Sequence, residues 1–187
     1  MERRTVLASA ATAAAGGLSG CLAPVLGNPL PRRLSVAGTD APGMHIDIEL
    51  LEPTVTIDHT ARVRVNWTNE RSERIVLRLS DSDASPKLSI TRERTGVVLV
   101  PPSYGFTGQT WAGCWKLTQV SGPAGQPYAM LDPGQTLTHE YEVWTDRDEE
   151  GCFPLGQHRF GDINIGPDDF DGMPMPEWAF TLTVEDA

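Results

Sequence analysis

The side chains of this chain with the most chemistry to offer are carboxylates. Asp146, Asp148 and Glu150 stand at alternate positions with Gly151 next, the spacing with which a loop turns three oxygens toward a calcium ion. Calcium takes about six to eight oxygens, and such loops close on a bidentate glutamate at their last position. That position holds Gln157 here, so the shell would need help from a second acidic stretch, Asp168-Asp169-Phe170-Asp171-Gly172. The alternative is two solvated acidic loops, and no cofactor other than calcium is suggested. The histidines, His45, His59, His139 and His158, are scattered. His139 falls on the inward face of an alternating run, where a hydrogen-bonded core histidine is expected rather than a ligand or a base. No Gly-x-Ser-x-Gly elbow presents a serine, and no Gly-rich phosphate loop precedes a helix. Without a catalytic constellation, the chain is not expected to be an enzyme.

The three cysteines divide between two tasks. Arg3-Arg4 is followed by Thr5-Val6-Leu7, then by an Ala-, Thr- and Gly-rich run ending in Leu18-Ser19-Gly20-Cys21. A short basic start, a mild apolar run and small residues before a cleavage point are the parts of an export signal. The run from Val6 to Leu18 has 13 residues, too short to span a bilayer as a helix. The Arg pair with apolar residues just after it resembles a twin-arginine signal, which exports folded cargo. The Leu-Ser-Gly-Cys ending resembles a lipobox, whose cysteine is alkylated with diacylglycerol before cleavage. These resemblances imply a signal over residues 1–20 and a lipid on Cys21. Two acyl chains then hold the protein to a membrane without a transmembrane helix. The alternative is a buried Ala-rich helix with an accidental Arg pair. Cys114 and Cys152 remain, and an even number of cysteines in an exported chain reads as one disulfide. It would close a loop of about 39 residues, worth about 4 kcal/mol in the chain-entropy account. Two thiolates with no third cysteine or nearby histidine make a poor zinc site.

Of the 15 cations only Lys87 and Lys116 are lysines, and 25 anions bring the formal net charge to −10. The charge is unevenly laid out. Residues 21–131 carry 11 cations and 10 anions, whereas residues 132–187 carry 2 cations and 14 anions. Such a chain has little attraction for phosphate backbones, which excludes nucleic acid as an expected partner. It also lacks an apolar stretch of about 18 residues, which excludes a polytopic membrane protein. Twin-arginine lipoprotein signal, Arg-for-Lys usage and acidic mature chain together resemble haloarchaeal surface lipoproteins. The resemblance implies a lipid-anchored protein on the extracytoplasmic face of the cell membrane.

These residues must be positioned by strands. Residues 21–42 are rich in Pro, Gly, Ala and Ser without a period of 2 or 3.6, and are expected to be a flexible tether. An extra edge strand at Leu34–Val36 is the alternative there. Residues 43–187 form the expected folded domain, long enough to bury about two-thirds of its extended-chain surface. Within it Ile46, Ile48 and Leu50 alternate with polar residues, as do Val63, Val65 and Trp67. Ile75, Leu77 and Leu79 follow, then Leu88 and Ile90, and the apolar run Val97–Val100. Leu137, His139, Tyr141 and Val143 alternate again, and Trp178, Phe180, Leu182 and Val184 close the chain. Turn clusters at 70–73, 80–83 and 131–134 separate these runs. Many short strands and no helical stripe predict an all-β, antiparallel β-sandwich. The same period turns Asn66 outward, and Asn66-Trp67-Thr68 is an N-glycosylation sequon.

Three segments carry a further resemblance: Arg62-Val-Arg-Val-Asn-Trp-Thr-Asn-Glu70, Leu131-Asp-Pro-Gly-Gln-Thr136 and Pro154-Leu-Gly-Gln-His-Arg-Phe160. Together they resemble an immunoglobulin-like domain similar to that of the bacterial intracellular proteinase inhibitors. In such domains a strand ending in Thr-Asn precedes a turn, and Pro-Gly and Pro-x-Gly turns open late strands. Residues 101–127 have no counterpart in that pattern and hold Tyr104, Phe106, Trp111 and Trp115 among Gly, Pro and Thr. As a loop, they would either cap the open end of the core or offer a protein or carbohydrate partner an aromatic patch. The expected function is that of a membrane-anchored, non-catalytic binding or structural module. The alternatives are a proteinase inhibitor presenting residues 101–127 and a solute- or metal-capturing accessory lipoprotein.

Overall fold

The computed structural model describes residues 31–79, 96–102, 105–111, 114–121, 128–162 and 172–187. They form twelve strands: β1 (Arg32–Asp40), β2 (Met44–Glu52), β3 (Thr54–Val55), β4 (Arg62–Asn69), β5 (Ile75–Arg78), β6 (Val97–Val100), β7 (Gly105–Trp111), β8 (Cys114–Ser121), β9 (Tyr128–Leu131), β10 (Thr136–Thr145), β11 (Gly156–Asp162) and β12 (Trp178–Asp186). No helix occurs among the described residues, so the chain is all-β as its alternation predicts.

The strands make three sheets. One has the order β11-β12-β1-β3; a second runs β2-β4-β10-β8-β7 with β6 also paired to β10; the third is β5-β9. Pairing is antiparallel throughout, save one parallel bridge between Thr145 and Lys116. Alternation explains the second sheet residue by residue. In β4, Val63, Val65, Trp67 and Asn69 are buried while Arg62, Arg64, Asn66 and Thr68 are half-exposed. The register then stacks apolar rows across three strands, Leu50-Val63-Tyr141 and Ile46-Trp67-Leu137, so that a one-residue slip would turn every row to water.

A single core collects these rows. Leu34, Phe160, Phe180 and Leu182 enter it from the first sheet, Val63, Val65, Trp67 and Tyr141 from the second, and Ile75, Leu77 and Leu131 from the third. The Trp67 and Trp178 indoles meet edge to face at 5.4 Å, joining the first two sheets at the centre. The unbroken run Val97–Val100 has its own reason. Val97 and Leu99 join this core, while Val98 and Val100 pack on the other side with Leu117 and Trp144. A strand covered on both faces has no polar residue to alternate with. Two tight turns set the strand ends. Ala41-Pro42-Gly43-Met44 and Asp132-Pro133-Gly134-Gln135 each close a backbone hydrogen bond, at 3.0 and 2.9 Å. Proline then glycine suits a type II turn, whose third residue needs positive φ, and Gly43 and Gly134 have φ of 77° and 75°.

The structure corrects two expectations. Residues 32–40 are not tether: β1 pairs with β12 along its length, while β3 takes its other side at Arg32 and Arg33 alone. The folded unit therefore begins by Arg32 instead of residue 43. The period failed there because Arg32 is itself buried, beside Leu34, while Val36 to Asp40 lie exposed. Residues 101–127 are not simply a loop, since β7 and β8 pair within them as a hairpin. Short strands β3 and β9 escaped the pattern for want of length, and the expected strand at Leu88–Ile90 lies outside the described residues.

Candidate functional site

Two regions gather the polar and aromatic side chains. The first is the turn end of the β7–β8 hairpin, where Trp111 pairs with Cys114. Cys114, the first residue of β8, faces Cys152 of the β10–β11 connection as a disulfide-distance pair, with the Cα atoms 5.5 Å apart. Trp115 next to it donates its indole N–H to the Thr56 carbonyl at 2.7 Å and sets its ring edge to face with Trp144 at 5.5 Å. The Lys116 ammonium donates to the Glu149 carbonyl. Phe153, buried and in the left-handed region at φ 47°, donates its backbone N–H to the Thr145 hydroxyl at 3.0 Å. The hairpin is thus joined to the β3–β4 turn, to β10 and to the acidic connection.

That connection holds Asp146, Asp148 and Glu150. The Asp146 carboxylate accepts the Asp148 backbone N–H at 3.1 Å, and the Asp146 carbonyl accepts from Glu149 at 3.2 Å. The Asp146 carboxylate thereby helps to shape its own turn. Among the described residues no three His, Cys, Asp or Glu side chains are grouped as a metal site. Asp168, Asp169 and Asp171 lie outside them, as do Arg3, Arg4 and Cys21. Of the aromatics expected at 101–127, Trp115 is half-buried at the junction, Phe106 and Trp111 fall in β7, and Tyr104 is outside the described residues.

The second region is the outward face of β2, β4 and β10. Arg64 donates to Glu49 at 2.6 Å on one side and to Glu140 at 2.7 Å on the other, and Arg62 reaches Glu140 at 2.9 Å. Hydrogen bonding to Arg64 holds the Glu140 carboxyl below the usual carboxylate range, and Glu140 with Glu49 raises Arg64 in turn. One row along, the Asn66 amide donates to Asp47 at 3.1 Å and accepts from the Thr138 hydroxyl at 2.7 Å. Asn66 does face outward, half-buried, with both ends of its amide engaged. On the opposite face half-buried His139 lies against Trp67 and Tyr141, with ring centroids 6.1 and 6.0 Å away, and burial lowers its pKa.

Sequence reasoning missed this ladder. Its members are ordinary surface residues until the register aligns Glu49, Arg64 and Glu140, three strands that the chain separates by 15 and 76 residues. It missed Trp144 too, whose partner Trp115 is brought near by the hairpin. No helix among the described residues is long and apolar enough to cross a membrane. Compared with family models, with curated proteins and with solved structures, the chain matches none.

Proposed function

We propose that the chain is an exported lipoprotein, held to the extracytoplasmic face of the cell membrane through diacylglycerol on Cys21, whose β domain works as a non-catalytic binding module. The observation that carries this reading is one of order along the chain. Residues resembling an export signal, a lipobox and a cysteine pair follow one another, and the first described strand begins at Arg32, eleven residues after Cys21. A disulfide suits a compartment outside the reducing cytosol. The immunoglobulin-like character of the domain belongs to the same proposal. It is supported by the two sheets that meet at Trp67 and Trp178, and by the quoted motifs falling on β4, on the turn before β10 and on the start of β11.

The reading is tested by expressing the full chain and its Cys21→Ala variant in a host with both export and lipidation machinery. The parent is expected in the membrane fraction and the detergent phase, the variant in the soluble phase. Equal solubility of the two would overturn the anchor. A second reading, a proteinase inhibitor, draws on the β7–β8 hairpin, because its turn end is pinned by the Cys114–Cys152 pair and stiff segments resist cleavage. Slowed substrate cleavage in a panel of secreted proteases would support it, and unaltered rates would remove it.

A further inference from the structure

The strand β2 ends the second sheet. Among the described residues it pairs with β4 alone, so from His45 onward the other side of the strand presents backbone donors and acceptors that no described strand engages. Exposed edges of this length invite strand addition unless something prevents it. The side chains of β2 define what can be added. Asp47 and Glu49 point outward and are exposed, while Ile48 and Leu50 are half-buried against the core. No proline or glycine interrupts Met44 to Glu52, and the register irregularity comes only after Leu50.

We propose that the outer edge of β2 receives an extended segment of a partner protein in which basic and apolar residues alternate. The argument is charge complementarity read from the inner edge of the same strand. There β4 sets Arg64 against Glu49, Asn66 against Asp47, Val65 against Ile48 and Val63 against Leu50, with Arg64 to Glu49 at 2.6 Å and Asn66 to Asp47 at 3.1 Å. The outward row across the sheet runs Glu140, Arg64, Glu49, acid then base then acid, and stops at the open edge on an acid. The next strand continues the row with a base opposite Glu49 and a donor opposite Asp47. It also covers Ile48 and Leu50 with apolar side chains. Main-chain hydrogen bonds provide the binding, and the alternate side chains provide the choice of partner. A second copy of this chain is a poor occupant, because an antiparallel β2–β2 pair would bring the acids of two copies together. The inference deepens the binding-module reading by naming a partner class, and it stands whether or not Cys21 carries lipid.

The test uses the full chain and a fluorescent, end-capped peptide copying residues 60–66, Thr-Ala-Arg-Val-Arg-Val-Asn. Anisotropy at moderate salt is expected to show saturable binding, and hydrogen exchange to show new protection confined to residues 44–51. Exchanging both peptide arginines for glutamate should weaken binding about ten-fold or more, as should Asp47→Asn with Glu49→Gln in the protein. N-methylation of alternate peptide amides should abolish it, because the charges stay and the ladder cannot form. Equal binding of the N-methylated peptide would reduce the effect to charge attraction and overturn strand addition. So would absent binding, or dimerisation of the chain through residues 44–51. The peptide variants keep the question answerable if the doubly substituted protein fails to fold.

Discussion

His139 gives the molecule a pH dependence of definite sign. Burial disfavours its protonated form, so its pKa lies lower in the folded chain than in the unfolded one. As pH falls below about 6.5 the unfolded chain takes up the proton first, and stability drops until the folded pKa is passed. Urea midpoints are expected to fall between pH 7 and pH 5.5, and His139→Gln to remove that part of the slope. An unchanged slope in the variant would contradict the assignment. Glu140 acts in a separate window. Its pKa is lowered by Arg64, so its contribution is present above its unfolded value near 4.5 and is lost as pH falls further. Asn69 is the residue whose loss should cost most for its size. Fully buried, it donates to the Glu73 and Leu131 carbonyls at 2.8 and 3.0 Å and accepts from the Arg71 backbone at 2.9 Å. Asn69→Ala leaves those backbone groups unpaired and is expected to cost about 2–4 kcal/mol in chemical denaturation. At this scale the sequence was readable only where the period spoke. It turned His139 inward and Asn66 outward, but it could not announce Asn69, an amide whose partners come from a bend and a neighbouring strand.

Among the elements, β1 departs furthest from expectation, and its placement predicts a protease pattern. Arg32 and Arg33 are ladder members between β12 and β3, and the Arg32 guanidinium pairs with Asp186. Limited trypsin should therefore leave the bonds after Arg32 and Arg33 intact, so that the stable fragment keeps residues 5–31, which offer trypsin no Arg or Lys, as mass spectrometry would show. A fragment starting at Leu34 would restore the tether reading. The cysteine pair makes a second prediction at this scale. Replacing Cys114 and Cys152 by serine is expected to lower stability by about 2–4 kcal/mol and to loosen the β7–β8 hairpin first, measured by urea unfolding and hydrogen exchange. What could be read in advance follows one rule. Strands with one wet and one buried face, β2, β4, β10 and β12, print their alternation in the chain. Strand β6, buried on both faces, shows instead as the unbroken run Val97–Val100, whereas β1 buries an arginine and β3 and β9 are too short for a period to register. The hairpin β7–β8 carries no clean alternation through its glycines and tryptophans.

For the whole molecule, charge layout sets behaviour. Residues 132–187 carry 14 anions against 2 cations, and that imbalance repels itself at low salt. Raising salt from about 0.1 to 1 M shortens the screening length from about 10 to 3 Å, so the unfolding temperature is expected to rise. A fall would show that the Arg62–Glu140 and Arg64–Glu49 pairs, which salt also weakens, outweigh the general repulsion. Fold class was legible at this scale because every feature of it repeats along the chain. The binding edge was not, since an open edge is a property of sheet order and only a three-dimensional register exposes it. The account as a whole rests on export and lipidation, and the most direct test is the intact mass of the protein taken from a native membrane fraction, with and without reductant. It predicts loss of residues 1–20, a diacylglyceryl adduct on Cys21 and a gain of two hydrogens on reduction. A full-length, unmodified chain with free thiols would contradict it.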